Sequence, residues 1–186
     1  MSFLPPPHQV DLTKLRFEKL LPGWNVCSFD CTEADGSDPG GLQEFIQKEA
    51  LTFQVEKLGV TYLVFHKNDI VALLTVSMNC LSVEELPEKE KVPKIKVRYP
   101  VLFLGRLGVD KRYQNQNVGT YVCQWIVGLA RSLSEIVGCR YLALHALPER
   151  SSFYTREPLN FIESSSGRTD TKKLLYCRIA DVPSKD

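Results

Sequence analysis

Between Val118 and Ile136 the apolar residues Val118, Tyr121, Val122, Trp125, Ile126, Leu129, Leu133 and Ile136 recur at the spacing of one helix face, and Gly138 stands just beyond them. This predicts the longest helix of the chain. Tyr99 to Val109 before it reads as a strand, and Arg140 to His145 after it reads as a short buried strand. A strand, a helix and a second strand in that order need a sheet with a helix laid on it, so the fold class expected is mixed α/β.

The remaining segments fit the same plan. Asp11 can cap a short helix carrying Leu12, Leu15 and Leu20, stopped by Pro22-Gly23, and Trp24 to Phe29 is a candidate first strand. Asp38-Pro39 opens a helix with Leu42, Phe45, Ile46, Ala50 and Phe53 on one face. Val60 to Phe65 and Ile70 to Met78, joined by Lys67-Asn68-Asp69, predict a hairpin. Ser82 to Lys96 is charged, contains Pro87 and Pro93, and reads as a solvated excursion. Pro148 to Arg156 predicts a second helix beyond the long one, and Phe161 to Glu163 with Lys173 to Ile179 predict two closing strands.

With 186 residues, 44% of them hydrophobic and 24% charged, the chain suits one globular domain rather than a disordered or fibrous one. No apolar run approaches the roughly 18 residues that cross a bilayer, and Met1 to Val10, with three consecutive prolines, has no signal-peptide pattern. No membrane partner and a cytoplasmic location are therefore expected. Cys27, Cys31, Cys80, Cys123, Cys139 and Cys177 include no C-x-x-C pair, which favours reduced thiols. With only three histidines and no second close cysteine pair, no metal is expected.

The net charge of +1 excludes a generic polyanion-binding surface. Basic residues are nevertheless concentrated locally: Lys91, Lys94, Lys96, Arg98, Arg106, Lys111 and Arg112 form a strip in which Asp110 is the single acidic residue. Such a strip can face phosphates, or it can be a strand edge protected by lysines.

Chemistry is concentrated in the polar segment between the strand and the long helix. A turn that leads into a helix leaves main-chain N–H groups unpaired, and the helix dipole adds partial positive charge, so Gln114, Asn115, Gln116, Asn117, Val118, Gly119 and Thr120 are candidates to hold phosphate. Gly119 permits close approach of backbone, and Asn117 tolerates the left-handed conformation. The alternative is an ordinary polar loop before an amphipathic helix.

Gln114-Asn-Gln-Asn117-Val-Gly119 resembles the Q/R-x-x-G-x-G/A signature of the GCN5-related N-acetyltransferases, with Asn117 in place of the first glycine. Leu107-Gly108-Val109 is similar to the strand end that precedes that signature, and Phe153-Tyr154-Thr-Arg156 with Asn160-Phe161 to a later segment of the family. Phe29-Asp-Cys31, Leu42-x-x-Phe45 and Asp170-Thr171 resemble a bacterial branch that includes the toxins of toxin–antitoxin pairs.

The resemblance implies a single-domain, mostly antiparallel mixed sheet with splayed central strands flanked by helices. It divides the chain into an arm (1–23), an acetyltransferase domain (24–182) and a tail (183–186). It implies acetyl-CoA as cosubstrate, with backbone of Leu107 and Val109 against the pantetheine, main-chain N–H groups of Gln114 to Thr120 on the diphosphate, and Tyr154 protonating the leaving thiolate. His145 is either a base or lining for the acceptor amine, or a satisfied core histidine; Arg106 is a second candidate on the substrate side. Arg156 is a candidate for a CoA phosphate or an exposed helix residue, and Gly128 is expected to permit close helix packing.

The leading function is acetylation of a primary amine by direct attack on the thioester. The alternatives are toxin-type acetylation of aminoacyl-tRNA, with an antitoxin protein as further partner, and a non-catalytic acetyl-CoA-binding module supported by the missing glycine at Asn117. A homodimer through a sheet edge is compatible with each.

Overall fold

Seven strands form among the residues described by the computed structural model, which are 9–92, 98–168 and 171–179, without the side chains of 165–168. The expectations that concern the prolines of the N-terminal segment, Lys94 and Lys96, Asp170, and the chain beyond residue 179 lie outside the described residues. The strands are β1 (Arg16–Lys19), β2 (Val60–His66), β3 (Asp69–Leu81), β4 (Tyr99–Val109), β5 (Tyr141–Ala146), β6 (Ile162–Arg168) and β7 (Lys173–Arg178), hydrogen-bonded in the order β1-β2-β3-β4-β5-β7-β6. The helices are α1 (Leu42–Lys48), α2 (Ala50–Val55), α3 (Val118–Ser134) and α4 (Ser151–Thr155). β1 with β2, β2 with β3, β5 with β7 and β6 with β7 run antiparallel, and β4 with β5 runs parallel. A parallel pair cannot be joined by a tight turn, and α3 is the crossover that the long periodic segment predicted.

These elements form two compact units: Met1–Val76 with Arg106–Val122, and Ser77–Gly105 with Cys123–Asp186. In the first, Phe45, Ile46 and Ala50 of α1 and α2 join Leu63, Ile70 and Leu73 of the hairpin in one buried cluster with Leu20 and Phe29. The Asp38 carboxylate starts α1 by accepting the N–H groups of Leu42 (2.8 Å), Gln43 (3.0 Å) and Glu44 (3.2 Å). The single helix expected from Asp38 divides at Glu49, whose φ of −117° separates α1 from α2.

Two local readings change in this unit. Asp11 caps only a one-turn 3-10 helix, Leu12–Lys14, after which the chain extends as β1 and takes its hydrogen bonds from β2. Trp24 to Phe29 forms no strand. There the Asn25 side chain accepts the Cys27 N–H at 3.0 Å and Phe29 N–H reaches Val26 at 3.1 Å, so local turn bonds replace a ladder while Phe29 is still buried.

In the second unit Tyr99, Val101, Tyr141, Ala143, Leu174 and Tyr176 share a core with Leu81 and Leu86. The segment after β3 is thus no solvated excursion over its described part. Ser82 and Glu85 close a reciprocal cap, Leu86 is 3% exposed, and Val92 N–H donates to the Tyr99 hydroxyl at 2.9 Å. The β4–β5 ladder runs only from Val101↔Tyr141 to Leu104↔Leu144, although β4 continues to Val109 and β5 to Ala146. His145 and Ala146 keep their pairing with β7.

On α3, Cys123, Ile126 and Ala130 are buried, but Gly128 faces open space, with nothing within 4 Å of an added Cβ. The close-packing role expected of Gly128 is therefore excluded. Gly128→Ala should raise stability in urea by about 0.5–1 kcal/mol, because alanine restricts the unfolded chain at no steric cost. Gly59→Ala should do the opposite, since its Cβ would lie 2.8 Å from Phe53 Cε1 and 3.0 Å from the Val76 carbonyl oxygen.

Candidate active site

The first unit presents a turn whose shape follows from one buried carboxylate. Asp110, 1% exposed at the end of β4, accepts from Arg112 N–H (3.0 Å), Arg112 Nε (2.9 Å), Arg112 Nη2 (3.0 Å) and Asp30 N–H (3.1 Å). Asp110 N–H in turn donates to the Val71 carbonyl at 3.0 Å, and Lys111 N–H to the Asp30 carbonyl at 2.8 Å. The strand end is thereby anchored to two neighbouring segments before the chain turns. Gly108 packs closely beside it: a Cβ there would lie 3.2 Å from Cys31 Sγ, so the cysteine would have to give by a few tenths of an ångström.

Beyond the buried ring of Tyr113 the backbone becomes exposed. Asn115 and Asn117 both adopt φ of +61°, and the Asn117 carbonyl accepts the Tyr121 N–H at 3.0 Å to open α3. Asn117 holds the left-handed conformation, which asparagine tolerates better than most residues other than glycine. No main-chain N–H from Gln114 through Thr120 donates to an acceptor among the described residues. These main-chain N–H groups, two of them on left-handed residues, stand before and within the first turn of the 17-residue α3, an arrangement whose chemistry suits an anion. The diphosphate of a nucleotide-like ligand fits this chemistry.

Side chains of this segment serve the turn itself. Gln114 Nε2 donates to the Val109 carbonyl at 3.1 Å, Gln116 Nε2 to the Arg112 carbonyl at 3.4 Å, and Gln116 Oε1 accepts the Val10 N–H at 2.9 Å. Leu107 and Val109 are half-buried near the end of β4. Arg106 lies with its guanidinium carbon 3.6 Å from the Phe45 ring centroid and 5.7 Å from that of Phe53.

The basic strip is largely neutralised where it is described. Lys91 pairs with Glu88, Lys111 with Asp30 at 3.2 Å, and Arg112 with Asp110 at 2.9 Å.

In the second unit α4 carries Tyr154 between two rings, Phe153 at 4.8 Å and Phe161 at 5.9 Å, both edge-on. Burial raises the Tyr154 phenol well above the ordinary tyrosine range; the Cys123 thiol adds to this and Arg150 opposes it. Its hydroxyl has no hydrogen-bond partner among the described residues. Tyr154 therefore keeps its proton across the neutral and mildly alkaline range. His145 is exposed on β5, 5.2 Å from the Phe103 ring centroid, and its imidazole makes no hydrogen bond among the described residues. It is not a satisfied core histidine. Partial burial lowers its pKa, Lys172 acts in the same direction and Glu85 against it, so the ring is neutral at pH 7. Arg156 is exposed, with its guanidinium carbon 5.6 Å from the Phe153 ring centroid.

No protein-family model matches the chain. A tRNA-acetylating toxin of Mycobacterium tuberculosis is 22% identical over 126 residues, covering 67% of this chain and 75% of the toxin. The structure of AtaT complexed with acetyl-methionyl-tRNAfMet superposes with a TM-score of 0.74 at 23% identity, over 90% of this chain and 96% of that one. The chain has the fold of these toxins. AtaTR bound with acetyl-CoA gives a TM-score of 0.72 at 23% identity, over 91% of this chain and 96% of the other. The likeness lies with the toxin-containing branch that the sequence resembles, and the mixed, mostly antiparallel sheet is the expected one.

Sequence reasoning anticipated the polar turn before α3 but missed the tie from Gln116 to Val10, because nothing local marks a contact between residues 106 apart in the chain. Asp110→Ala should cost at least about 2 kcal/mol in chemical denaturation, since it strands a part-buried guanidinium and a main-chain donor. Asn117→Gly should change stability by only a few tenths of a kcal/mol. Asn117→Val should lose about 1 kcal/mol or more, because a β-branched residue resists positive φ.

Proposed function

We propose that this protein transfers an acetyl group from acetyl-CoA to the α-amine of an aminoacyl-tRNA. The observation that carries the coenzyme half of this reading is the run of main-chain N–H groups from Gln114 to Thr120 that find no acceptor among the described residues at the start of α3. The acceptor half is supported by the relatives, one a tRNA-acetylating toxin and one solved with acetyl-methionyl-tRNAfMet. They favour charged tRNA over a generic primary amine.

Acetyl-CoA supplies an activated acyl group as a thioester. The turn holds the diphosphate through N–H groups that need no reorganisation, because Asp110 and the two left-handed asparagines set their direction in advance. Backbone of Leu107 and Val109, half-buried at the end of β4, would hold the pantetheine. Tyr154, kept protonated by burial, delivers its proton to the departing sulfur. His145, neutral at pH 7, takes the proton of the attacking amine, and Arg106 borders the acceptor side. The relatives favour acetyl transfer over a non-catalytic module.

A further partner and a location follow. An antitoxin protein is the expected counterpart of an enzyme that blocks translation, and the cytoplasm is where its substrates occur. Among the described residues no helix is long and apolar enough to cross a membrane.

Acetyl-CoA should stabilise the protein in a thermal-shift assay, and acetyl incorporation into charged tRNA should exceed that into free amino acids. Tyr154→Phe should reduce turnover by about 10²–10⁴-fold while leaving the acetyl-CoA shift intact; unchanged turnover removes Tyr154 from the chemistry. The rising limb of kcat/KM against pH should have an apparent pKa below the usual 6.5 of histidine, following the lowered His145 value, and should disappear in His145→Gln.

A further inference from the structure

Residues 114–117 separate the buried Tyr113 from the buried Val118. Gln114, Asn115 and Asn117 are exposed, whereas Gln116 is half-buried. The Gln116 side chain is engaged in two directions: Oε1 accepts the Val10 N–H at 2.9 Å, and Nε2 donates to the Arg112 carbonyl at 3.4 Å. Among the described residues, the bond from Val10 is the one hydrogen bond that ties residues 114–117 to chain outside residues 109–121. The Gln114 side chain stays within the turn, on the Val109 carbonyl, and the Asn117 carbonyl serves α3.

The far end of this tie is itself anchored. Asp11, next to Val10, donates its N–H to His66 Nε2 at 3.3 Å, and His66 is 6% exposed at the end of β2, opposite Asp69. The Asp11 carboxylate accepts the Thr13 N–H at 3.1 Å, and β1 then pairs with β2 from Arg16↔Phe65 to Lys19↔Tyr62. Val10 is therefore held on the frame of the β2–β3 hairpin, and two consecutive N–H groups of one segment join that frame to the turn. Asn115 and Asn117, both at φ of +61°, set the curvature of the turn but make no connection to the sheet among the described residues. Amides that are to hold a diphosphate must keep one direction, because freedom left in the turn is lost on binding and subtracts from affinity.

We propose that the Gln116 side chain is a positioning element for the coenzyme, a strut that props the amide-bearing turn on Val10 and, through Asp11 and His66, on the hairpin. This role is separate from that of the Gln116 main-chain N–H. The side chain touches no reacting atom and acts through the direction of the neighbouring amides. The proposal rests on the acetyl-CoA reading given above, and it assigns to the segment before β1 a part in coenzyme binding.

The test uses the full chain and three substitutions. Gln116→Leu removes both side-chain bonds at similar volume, Val10→Pro removes the donor from the other side, and Gln116→Glu keeps an acceptor for Val10. Nitrogen-15 relaxation without ligand should give backbone order parameters of about 0.85 for Asn115, Gln116 and Asn117 in the unsubstituted protein and in Gln116→Glu, and about 0.6 or lower in Gln116→Leu and Val10→Pro. Calorimetric titration with acetyl-CoA should show about three- to tenfold weaker binding in Gln116→Leu and in Val10→Pro, with no further loss in the double variant, because both remove the same bond. Order parameters that do not fall in Gln116→Leu, unweakened acetyl-CoA binding in that variant, or losses that add in the double variant overturn the proposal. Should Val10→Pro fail to fold, the contrast between Gln116→Leu and Gln116→Glu decides. An unsubstituted protein that does not bind acetyl-CoA overturns the coenzyme reading and this role with it, whereas its binding with no loss in the variants overturns this role alone.

Discussion

Asp110 is the residue on which the geometry of the first unit turns. A carboxylate with 1% exposure must be surrounded by donors, and here the donors are the Arg112 side chain, the Arg112 N–H and the Asp30 N–H. Satisfying one buried charge therefore joins the end of β4, the turn after it and the segment before α1. The exposed amides from Gln114 onward inherit their direction from that junction.

Much of this was readable in advance, and the reasons are physical. α3 is long and periodic, so its face and the polar turn before it are visible in sequence alone; the hairpin is equally plain from apolar runs rich in β-branched residues joined by turn residues. Trp24 to Phe29 has the composition of a strand, yet Asn25 offers a local acceptor and the segment folds on itself. The short segment around Leu12 failed in the opposite direction, because a hydrogen-bonding edge on β2 outweighs a weak helical pattern. Leu86 was invisible among charges, although a single leucine anchors its segment in the second core.

The candidate site was legible in part for the same reasons. The turn, Tyr154 and His145 occur in short ordered patterns, whereas their electrostatics depend on burial that no pattern records. Tyr154 lies between Phe153 and Phe161 with its phenol driven upward, and His145 is exposed with its imidazole driven downward. One group retains a proton and the other is ready to accept one at the same pH. Amide side chains that brace the structure, such as Gln54 bonded to the Leu20 carbonyl at 2.6 Å and to Thr61 N–H at 3.0 Å, leave no trace in sequence.

Asparagine at φ of +61° has a further effect. A glycine at either bend would wander more widely in the denatured chain and would surrender more freedom on folding. With Asn115 and Asn117 the loop is stiffer than two glycines would leave it, so less disorder would be lost in holding the anion proposed for it. Rigidity of this kind favours slow release, and it gives a short polar loop the persistence of the helix that follows it.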